Sequence, residues 1–221
     1  MILREELIKI ANKSQTTLLN ICRDYIQALF LSFFYQQKES TNFLFKGGTA
    51  LHFAFGSPRY SEDLDFSAQV FNCRSFEKLL TDTLAFIEKS SLKVELIESK
   101  PTTGGYLAIF STLVGDLKVP IQIEVSLRAA KELKGEAVLI KNIFLPTFES
   151  FILERKMMVN EKIQALLTRK KPRDFYDLYF ILRSDFKPKI AQPTRAQIIE
   201  ELEKLNKKQI LKDLKAFLPH S

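Results

Sequence analysis

The stretch KGGTALHFAFGSPRYSEDLDF, residues 46–66, carries most of the information about fold and function. Its second and third residues are two adjacent glycines, Gly47 and Gly48, in a chain that has only 7 glycines among 221 residues. The residues around them predict a short strand over 43–46 and a helix that starts at Thr49. A strand that ends in Gly-Gly-Thr at the start of a helix exposes backbone N–H groups with no bulky side chain over them, and the threonine adds a hydroxyl. This arrangement suits a phosphate group.

The second half of the same stretch places two acids on one face of a strand. Residues 63–67 alternate polar and apolar side chains, as a strand does. Asp63 and Asp65 therefore point to the same side, where they can share hard cations. Either half alone has a plainer explanation, because Gly-Gly-Thr can be a capped tight turn and Asp-x-Asp can be a solvated strand end. Together, with one helix and one turn between them, they predict a triphosphate–Mg²⁺ site.

The rest of the chain predicts an α+β fold with a mixed sheet and flanking helices. Further strands are predicted over residues 92–98, 106–114 and 117–127. Helices are predicted over residues 3–35 (one or two helices), 75–89, 148–168, 172–183 and 194–217. Gly115-Asp116 suits the two-residue turn of a hairpin. We divide the chain into a mixed-sheet domain with N-terminal helices, residues 1–147, and a helical domain, residues 148–221.

The distribution of charged residues along the chain indicates the class of partner that the protein can bind. The formal net charge is +7, and because residues 1–150 hold 17 basic and 17 acidic side chains, the whole excess follows residue 150. A basic segment permits an anionic partner such as nucleic acid. With 46% hydrophobic and 27% charged residues, the chain is not a disordered polyelectrolyte.

The cysteines and the apolar stretches of the sequence indicate the cellular compartment of the protein. Cys22 and Cys73 cannot form a disulfide framework, and with only His52 and His220 beside them they cannot build a Cys/His zinc site. The start of the chain lacks the basic region of a signal peptide, and its most apolar stretch, residues 28–35, is too short to span a membrane. We therefore expect a cytoplasmic protein without a membrane partner.

Two motifs together resemble a known family. GGT at 47–49 followed by RYSEDLDF at 59–66 resembles the first motif of the polymerase-beta-type nucleotidyltransferase superfamily. Glu-Lys at 161–162 and RKKPRDFYDL at 169–178 match the downstream helical signature of the AbiEii/AbiGii toxins of bacterial abortive-infection and type IV toxin–antitoxin systems. The resemblance spans about residues 43–182. It implies a polymerase-beta-like nucleotidyltransferase domain followed by a helical bundle.

The resemblance implies a third carboxylate on a neighbouring strand, and Glu124 is the acid that the strand over 117–127 offers. Apolar residues alternate with Glu124 in that strand, so its side chain lies on the polar face. Three interpretations stay open, because Glu124 can coordinate a metal ion, accept the proton of an attacking hydroxyl, or be an exposed strand-face glutamate.

The predicted helices supply further site residues. Lys162 lies beside the apolar face of its helix, so it can be a snorkelling lysine or a cation directed at nucleotide phosphates, and the resemblance favours the second. The family treats the first Asp of the Arg-Asp-x-x-Asp pattern as an active-site residue, which is Asp174. It can also simply complement the dipole of its helix, and Asp177 is the other candidate. Arg173 can pair with either carboxylate or contact phosphate.

The implied reaction is nucleotidyl transfer. Two Mg²⁺ ions, or Mn²⁺, held by Asp63, Asp65 and Glu124 would bridge an attacking hydroxyl and the α-phosphate of a nucleoside triphosphate. Gly47, Gly48 and Thr49 would hold the other phosphates, and Lys162 would offset developing charge. Arg59 and Ser61, just before the acids, can orient the phosphates or stabilise the turn.

The resemblance also implies partners. Family relatives are growth-inhibiting toxins, and some add nucleotides to the 3′ end of tRNA, for which a basic C-terminal segment is compatible. A cognate antitoxin would be encoded in the same operon, with no direct contact required. The alternatives are nucleotidylation of a protein hydroxyl, phosphoryl transfer to a nucleoside, and a non-catalytic RNA-binding protein on the same fold.

Overall fold

The structure is a computed structural model and describes residues 2–68, 70–127, 133–186 and 188–220. In chain order its elements are α1 (Arg4–Lys13), α2 (Leu18–Phe34), a 3-10 helix (Lys38–Asn42), β1 (Phe43–Lys46), α3 (Gly47–Phe55), β2 (Asp63–Ala68), α4 (Cys73–Lys89), β3 (Val94–Thr102), β4 (Gly105–Val114), β5 (Leu117–Ser126), β6 (Gly135–Ile140), β7 (Phe148–Leu153), α5 (Arg155–Arg169), α6 (Pro172–Arg183), α7 (Gln192–Glu203) and α8 (Lys207–Lys215).

The strands form the mixed sheet that the sequence predicts. Their order is β3-β4-β5-β2-β1-β7-β6. β2 runs parallel to β5 and antiparallel to β1, and β1 runs parallel to β7. The β4–β5 hairpin turns at Gly115, whose φ of 61° is a conformation that glycine adopts without strain. β1 and β2, the strands of the opening motif, therefore lie in the middle of the sheet.

Helix α2 fixes the position of these central strands through aromatic packing. The Phe34 ring lies 5.4 Å from that of Phe66 on β2, and the Phe30 ring lies 5.8 Å from that of Phe110 on β4. All four side chains are fully buried, and each contributes roughly 1.5–3 kcal/mol through removal from water. Because Phe66 alternates with Asp65 along β2, this packing directs the acid to the other face of the sheet.

The structure corrects two of the helix predictions. Residues 148–153 form the strand β7 and not the start of a helix, since Ile152 pairs with Phe45 of β1 and the helix begins at Arg155. A short apolar run fits either element, and here sheet pairing decides. The helix predicted over 194–217 is two helices, because the Asn206 side chain accepts a hydrogen bond from the Lys208 N–H and caps α8. The boundary between residues 147 and 148 stays a prediction.

The C-terminal helices return to the N-terminal part of the chain. The Tyr60 N–H donates to the Phe217 carbonyl at 2.8 Å, and Asn20 Nδ2 on α2 donates to the Ala216 carbonyl at 2.8 Å. These contacts tie the end of α8 to the loop before β2. Across the described ranges, the helices are all too short or too polar to cross a membrane.

Candidate active site

A cleft of about 590 Å³ lies between the sheet and α5. Lys46, Gly47, Asp65 and Glu124 line it from the sheet side, and α5 lines it with residues that include Glu161, Lys162 and Arg169. We call the carboxylates Asp63, Asp65 and Glu124 the acidic floor, of which Asp65 and Glu124 line the cleft and Asp63 lies two positions before Asp65 on β2. We call Lys162 and Arg169, together with the acids Asp177 and Asp174 that bind them, the basic wall.

The acidic floor is built by two adjacent parallel strands. Asp65 of β2 is in register with Glu124 of β5. Burial, together with the charges of Asp65, Glu62 and Glu124, raises the pKa of Asp63 to about 6, and Arg173 opposes this shift. The pKa of Asp65 is also raised, by burial and by Glu124, although the Lys162 and Lys46 charges oppose it. A pair of acids whose ionised forms are disfavoured in this way is a place where a cation would relieve repulsion.

Glu124 is the exposed member of the floor. Its Oε1 accepts a hydrogen bond of 2.6 Å from Gln122 Nε2. Within the part of the chain that the structure describes, no three His, Cys, Asp or Glu side chains lie close enough to hold one metal ion. Asp65 and Glu124 still offer, from neighbouring strand positions, the oxygen donors that Mg²⁺ prefers, so the donor set fits such an ion once Glu124 turns from Gln122. The metal roles of Asp63, Asp65 and Glu124 stay a prediction.

The two glycines make room for charged groups of the site. Gly47 has a φ of 80°, and a Cβ at this position would collide with the Asp65 carboxylate. A Cβ at Gly48 would collide with the guanidinium of Arg59 and approach Ser61 Oγ. Substitution at either position would therefore displace a side chain of the site, which is a stronger reason for glycine here than a tight turn alone.

The next residue of the motif is turned inward. Thr49 is 1% exposed, and its hydroxyl donates to the backbone carbonyl of Asp63 at 2.5 Å. Ser61 is half-buried, and its carbonyl accepts a hydrogen bond from Gln27 Nε2. The structure thus brings Gly47 to the cleft, while Thr49 binds the backbone of β2, Gly48 leaves room for Arg59, and Ser61 is bound by α2. Direct phosphate contacts by these three residues stay predictions.

Lys162 reaches the cleft from α5 and is bound to Asp177 of α6. Lys162 Nζ lies 2.6 Å from Asp177 Oδ2, and Arg59 binds both oxygens of the same carboxylate, at 2.7 and 3.0 Å. Burial alone would raise the pKa of Asp177, but the charges and hydrogen bonds of Lys162 and Arg59 lower it. Since Arg59 is only 4% exposed, its guanidinium orients Asp177 and does not face the cleft.

Asp174 acts on the site through a different cation. It is 1% exposed, and its Oδ1 accepts a hydrogen bond of 2.7 Å from Arg169, which lines the cleft. Among the described residues its Oδ2 has no hydrogen-bond partner. Between the two candidate acids of α6, Asp177 therefore contacts Lys162, and Asp174 positions Arg169. Arg173 is half-buried, and its charge lowers the pKa of Asp63, so it lies near the floor.

Lys46 and Arg169 are cleft residues that the sequence prediction did not include. Lys46 ends β1, pairs with Asp65 in the β1–β2 ladder and binds Glu161, with 3.0 Å between Nζ and Oε1. The sequence does indicate both residues by their position. Lys46 directly precedes the two glycines, and Arg169 is the first residue of the family-like run over 169–178. They could have been included on position alone.

The chain matches a family of known proteins and is similar in fold to known structures. The family model described as nucleotidyl transferase AbiEii toxin, type IV toxin–antitoxin system, matches residues 29–220. MenT4, a nucleotidyltransferase toxin of Mycobacterium tuberculosis, is similar in structure, with a TM-score of 0.63 and 18% identity over 90% of this chain and 70% of that one. JHP933 of Helicobacter pylori gives a TM-score of 0.57 and 18% identity over 90% and 79%. At these identities the likeness shows the fold. No protein with a curated description matches the chain.

Proposed function

Because this chain belongs to the AbiEii family of nucleotidyltransferase toxins of type IV toxin–antitoxin systems, we propose that it transfers a nucleoside monophosphate from a nucleoside triphosphate to an acceptor hydroxyl. The observation that carries this proposal is that two acids of the floor, Asp65 and Glu124, and the two cations of the wall, Lys162 and Arg169, line one cleft. A triphosphate with divalent cations would complement both sides of the cleft, because the cations would bind the acids of the floor and the phosphates would bind the cations of the wall.

Asp63, Asp65 and Glu124 are the residues that would hold Mg²⁺ or Mn²⁺, in a site for two ions. Three carboxylates on one face of adjacent strands, two of them with raised pKa values, support this choice. Bound there, the ions would activate the attacking hydroxyl and offset the charge of the leaving group.

The cations of the cleft would bind the triphosphate. Lys162 and Arg169 are fixed from behind by buried acids, so their remaining N–H donors are already oriented toward the cleft. In the reaction, the acceptor oxygen bonds to the α-phosphorus, the bond between that phosphorus and the β-phosphate oxygen breaks, and pyrophosphate leaves. The acceptor proton passes to a carboxylate of the floor or to solvent, and Glu124, which is exposed, is the candidate within the chain.

For the acceptor, we propose the 3′ end of tRNA or of another RNA. The family resemblance supports this choice, and the +7 excess of charge that follows residue 150 is compatible with phosphate contacts that do not read sequence. Membership of a type IV family also implies a cognate antitoxin. We propose that it is encoded in the same operon, without a requirement for direct binding.

A labelling experiment tests the reaction and the acceptor together. The protein is incubated with Mg²⁺, each of the four nucleoside triphosphates labelled at the α-phosphate, and purified tRNA, total RNA or a protein extract. We expect label on RNA, lost when EDTA is present and lost when the 3′-terminal diol is oxidised with periodate. The Asp116→Asn variant, with its substitution in the exposed turn between β4 and β5, serves as the active control.

The alternatives give different results in the same experiment. Label on protein would replace the RNA acceptor with a protein hydroxyl. A parallel incubation with triphosphates labelled at the γ-phosphate tests phosphoryl transfer, which would label the acceptor there and not in the α-labelled incubation. Binding of RNA without label on any acceptor would indicate an RNA-binding protein on the same fold, and the proposed reaction would be wrong.

A further inference from the structure

Each of three cations that line the cleft is bound to an acid. Lys162 binds Asp177 with 2.6 Å between the charged atoms, Arg169 binds Asp174 at 2.7 Å, and Lys46 binds Glu161 at 3.0 Å. The three pairs place equal numbers of positive and negative charges around a cleft that we propose to bind a polyanion. How each acid is placed therefore decides which cations are available to phosphate.

The acids differ in their position. Asp174 and Asp177 have 1% of their side chains exposed and lie behind the cations they bind. Glu161 has 47% of its side chain exposed and lines the cleft itself. A buried acid orients a cation and leaves the cation's remaining donors free to bind a ligand. An acid in the cleft instead occupies space and donors that an anionic ligand would use.

Lys46 is well placed to contact a phosphate. Its side chain is only 11% exposed, its backbone pairs with Asp65, and its charge lowers the pKa of that acid. The residue after it is Gly47, which lines the cleft without adding a side chain of its own. A phosphate bound to Lys46 would therefore lie beside the carboxylate that we propose as a metal ligand.

From these contacts we infer that Lys46 is a polyphosphate-binding residue and that Glu161 competes with the phosphates for it, which sets the affinity of the cleft. The inference rests on the proposed function, because it concerns the triphosphate of that reaction. When a triphosphate enters, the Lys46–Glu161 contact breaks and the carboxylate of Glu161, already half exposed, turns into water. Asp174 and Asp177 have no such route to water, so they stay with their cations.

Binding of inorganic tripolyphosphate to the Mg²⁺-loaded protein, measured by calorimetry, tests this inference without an acceptor. We expect Glu161→Gln to bind about 3- to 10-fold more tightly, the scale of losing a partly exposed competing ion pair. We expect Lys46→Met to bind at least about 10-fold more weakly, the scale of a lost hydrogen bond to a charged group. The charge-matched control is Glu203→Gln on α7, an exposed site away from the cleft, which we expect to bind as the unaltered protein does.

The double variant Lys46→Met with Glu161→Gln makes the test specific. If Glu161 acts through Lys46, removing the acid gains nothing once the lysine is gone, and the double variant binds like Lys46→Met alone. Lys46→Arg, which keeps the charge, should recover most of the affinity, and a circular dichroism spectrum of Lys46→Met that matches the unaltered protein excludes unfolding as the cause of its loss. Unchanged or weaker binding by Glu161→Gln would overturn the inference, and so would a gain that persists without Lys46.

Nucleotide transfer by the same variants separates this inference from the proposed function. If the unaltered protein transfers nucleotide and Glu161→Gln shows the same KM for the triphosphate, the inference is wrong and the function stands. If tripolyphosphate binding follows the expected order but no acceptor is ever labelled, the function is wrong and the phosphate subsite stands.

Discussion

The acidic floor and the basic wall face each other across one cleft, yet they differ in how their charges are satisfied. In the wall, each cation is bound to a buried acid, and the pKa of Asp177 is lowered. In the floor, the acids of β2 and β5 stand side by side, and the pKa values of Asp63 and Asp65 are raised. The charges of the wall are paired before any ligand arrives, whereas the cations near the floor do not offset the burial and mutual repulsion of its acids. Acids with pKa values raised in this way, in a cleft of an otherwise stable fold, are typical of a functional site.

Removing one acid of the floor should have the largest effect on activity. We expect Asp65→Asn to lower the rate of nucleotide transfer by about 1000-fold, the scale of losing a group that stabilises charge in the transition state. The fold should survive, because the amide keeps the shape of the side chain and relieves repulsion with Glu124. Initial rates of labelling, measured beside Asp116→Asn, check this expectation. A rate within a few-fold of the control would show that the floor is not the catalytic centre.

Substitution of the acids in the basic wall should lower the free energy of unfolding, and the two acids should differ in the size of the loss. Asp177→Asn leaves two nearly buried cations, Arg59 and Lys162, without a counter-charge, and we expect a loss of about 3 kcal/mol in the free energy of unfolding. Asp174→Asn leaves Arg169 without a counter-charge, but the Arg169 side chain is 51% exposed. Water can therefore solvate its guanidinium, and we expect a loss of about 1 kcal/mol in the free energy of unfolding.

Urea unfolding at pH 7 measures both losses, and the Asp116→Asn variant provides the baseline. Equal losses for the two variants would mean that exposure of the cation does not decide the effect. A larger loss for Asp174→Asn would reverse the assignment of the two acids within the basic wall.

The contrast between floor and wall also explains what the sequence could predict. Local patterns predict much of the floor: alternation along a strand puts Asp63 and Asp65 on one face and puts Glu124 on the polar face of its own strand, and the family resemblance selects Glu124 as the third acid. The structure bears out that placement, because β2 and β5 are neighbours in register. Strand periodicity was enough to place Asp63 and Asp65 together, whereas the family resemblance supplied the expectation that the strand of Glu124 is their neighbour.

The basic wall depends on contacts between residues that lie on different elements of the fold, and no local sequence pattern predicts them. Arg59 and Asp177 are 118 positions apart in the chain, and nothing near either residue indicates its partner. Asp174 and Asp177 lie within one turn of the same helix, so helical periodicity could not decide which of them meets Lys162. The strand β7 was missed for a similar reason, since residues 148–153 become a strand through pairing with β1. Long-range pairing is a property of the assembled fold, and the sequence reveals it only where both partners carry a pattern.

The smallest effect expected from this comparison is on the stability of the protein without metal. The pKa of Asp63 is about 6 in the folded state, against an ordinary value of 3.8. A raised folded pKa means that the folded state binds the proton more tightly, so this contribution to stability is present below pH 3.8 and is lost as the pH rises through 6. We therefore expect Asp63→Asn and the unaltered protein to be about equally stable at pH 4, with the variant about 1 kcal/mol more stable at pH 7 after allowance for partial exposure.

Urea unfolding of the two proteins from pH 4 to pH 7, in the presence of EDTA, measures the difference. The buried pair of His52 and Asp24, which raises the pKa of His52, also makes stability depend on pH, but it is present in both proteins and cancels when they are subtracted. Mg²⁺ added at pH 7 should stabilise the unaltered protein more than the variant, because it would add positive charge beyond what the cations near the acidic floor provide. If the variant is less stable than the unaltered protein at pH 7, the Asp63 carboxylate stabilises the fold, and the distinction between an unsatisfied floor and a satisfied wall fails at that residue.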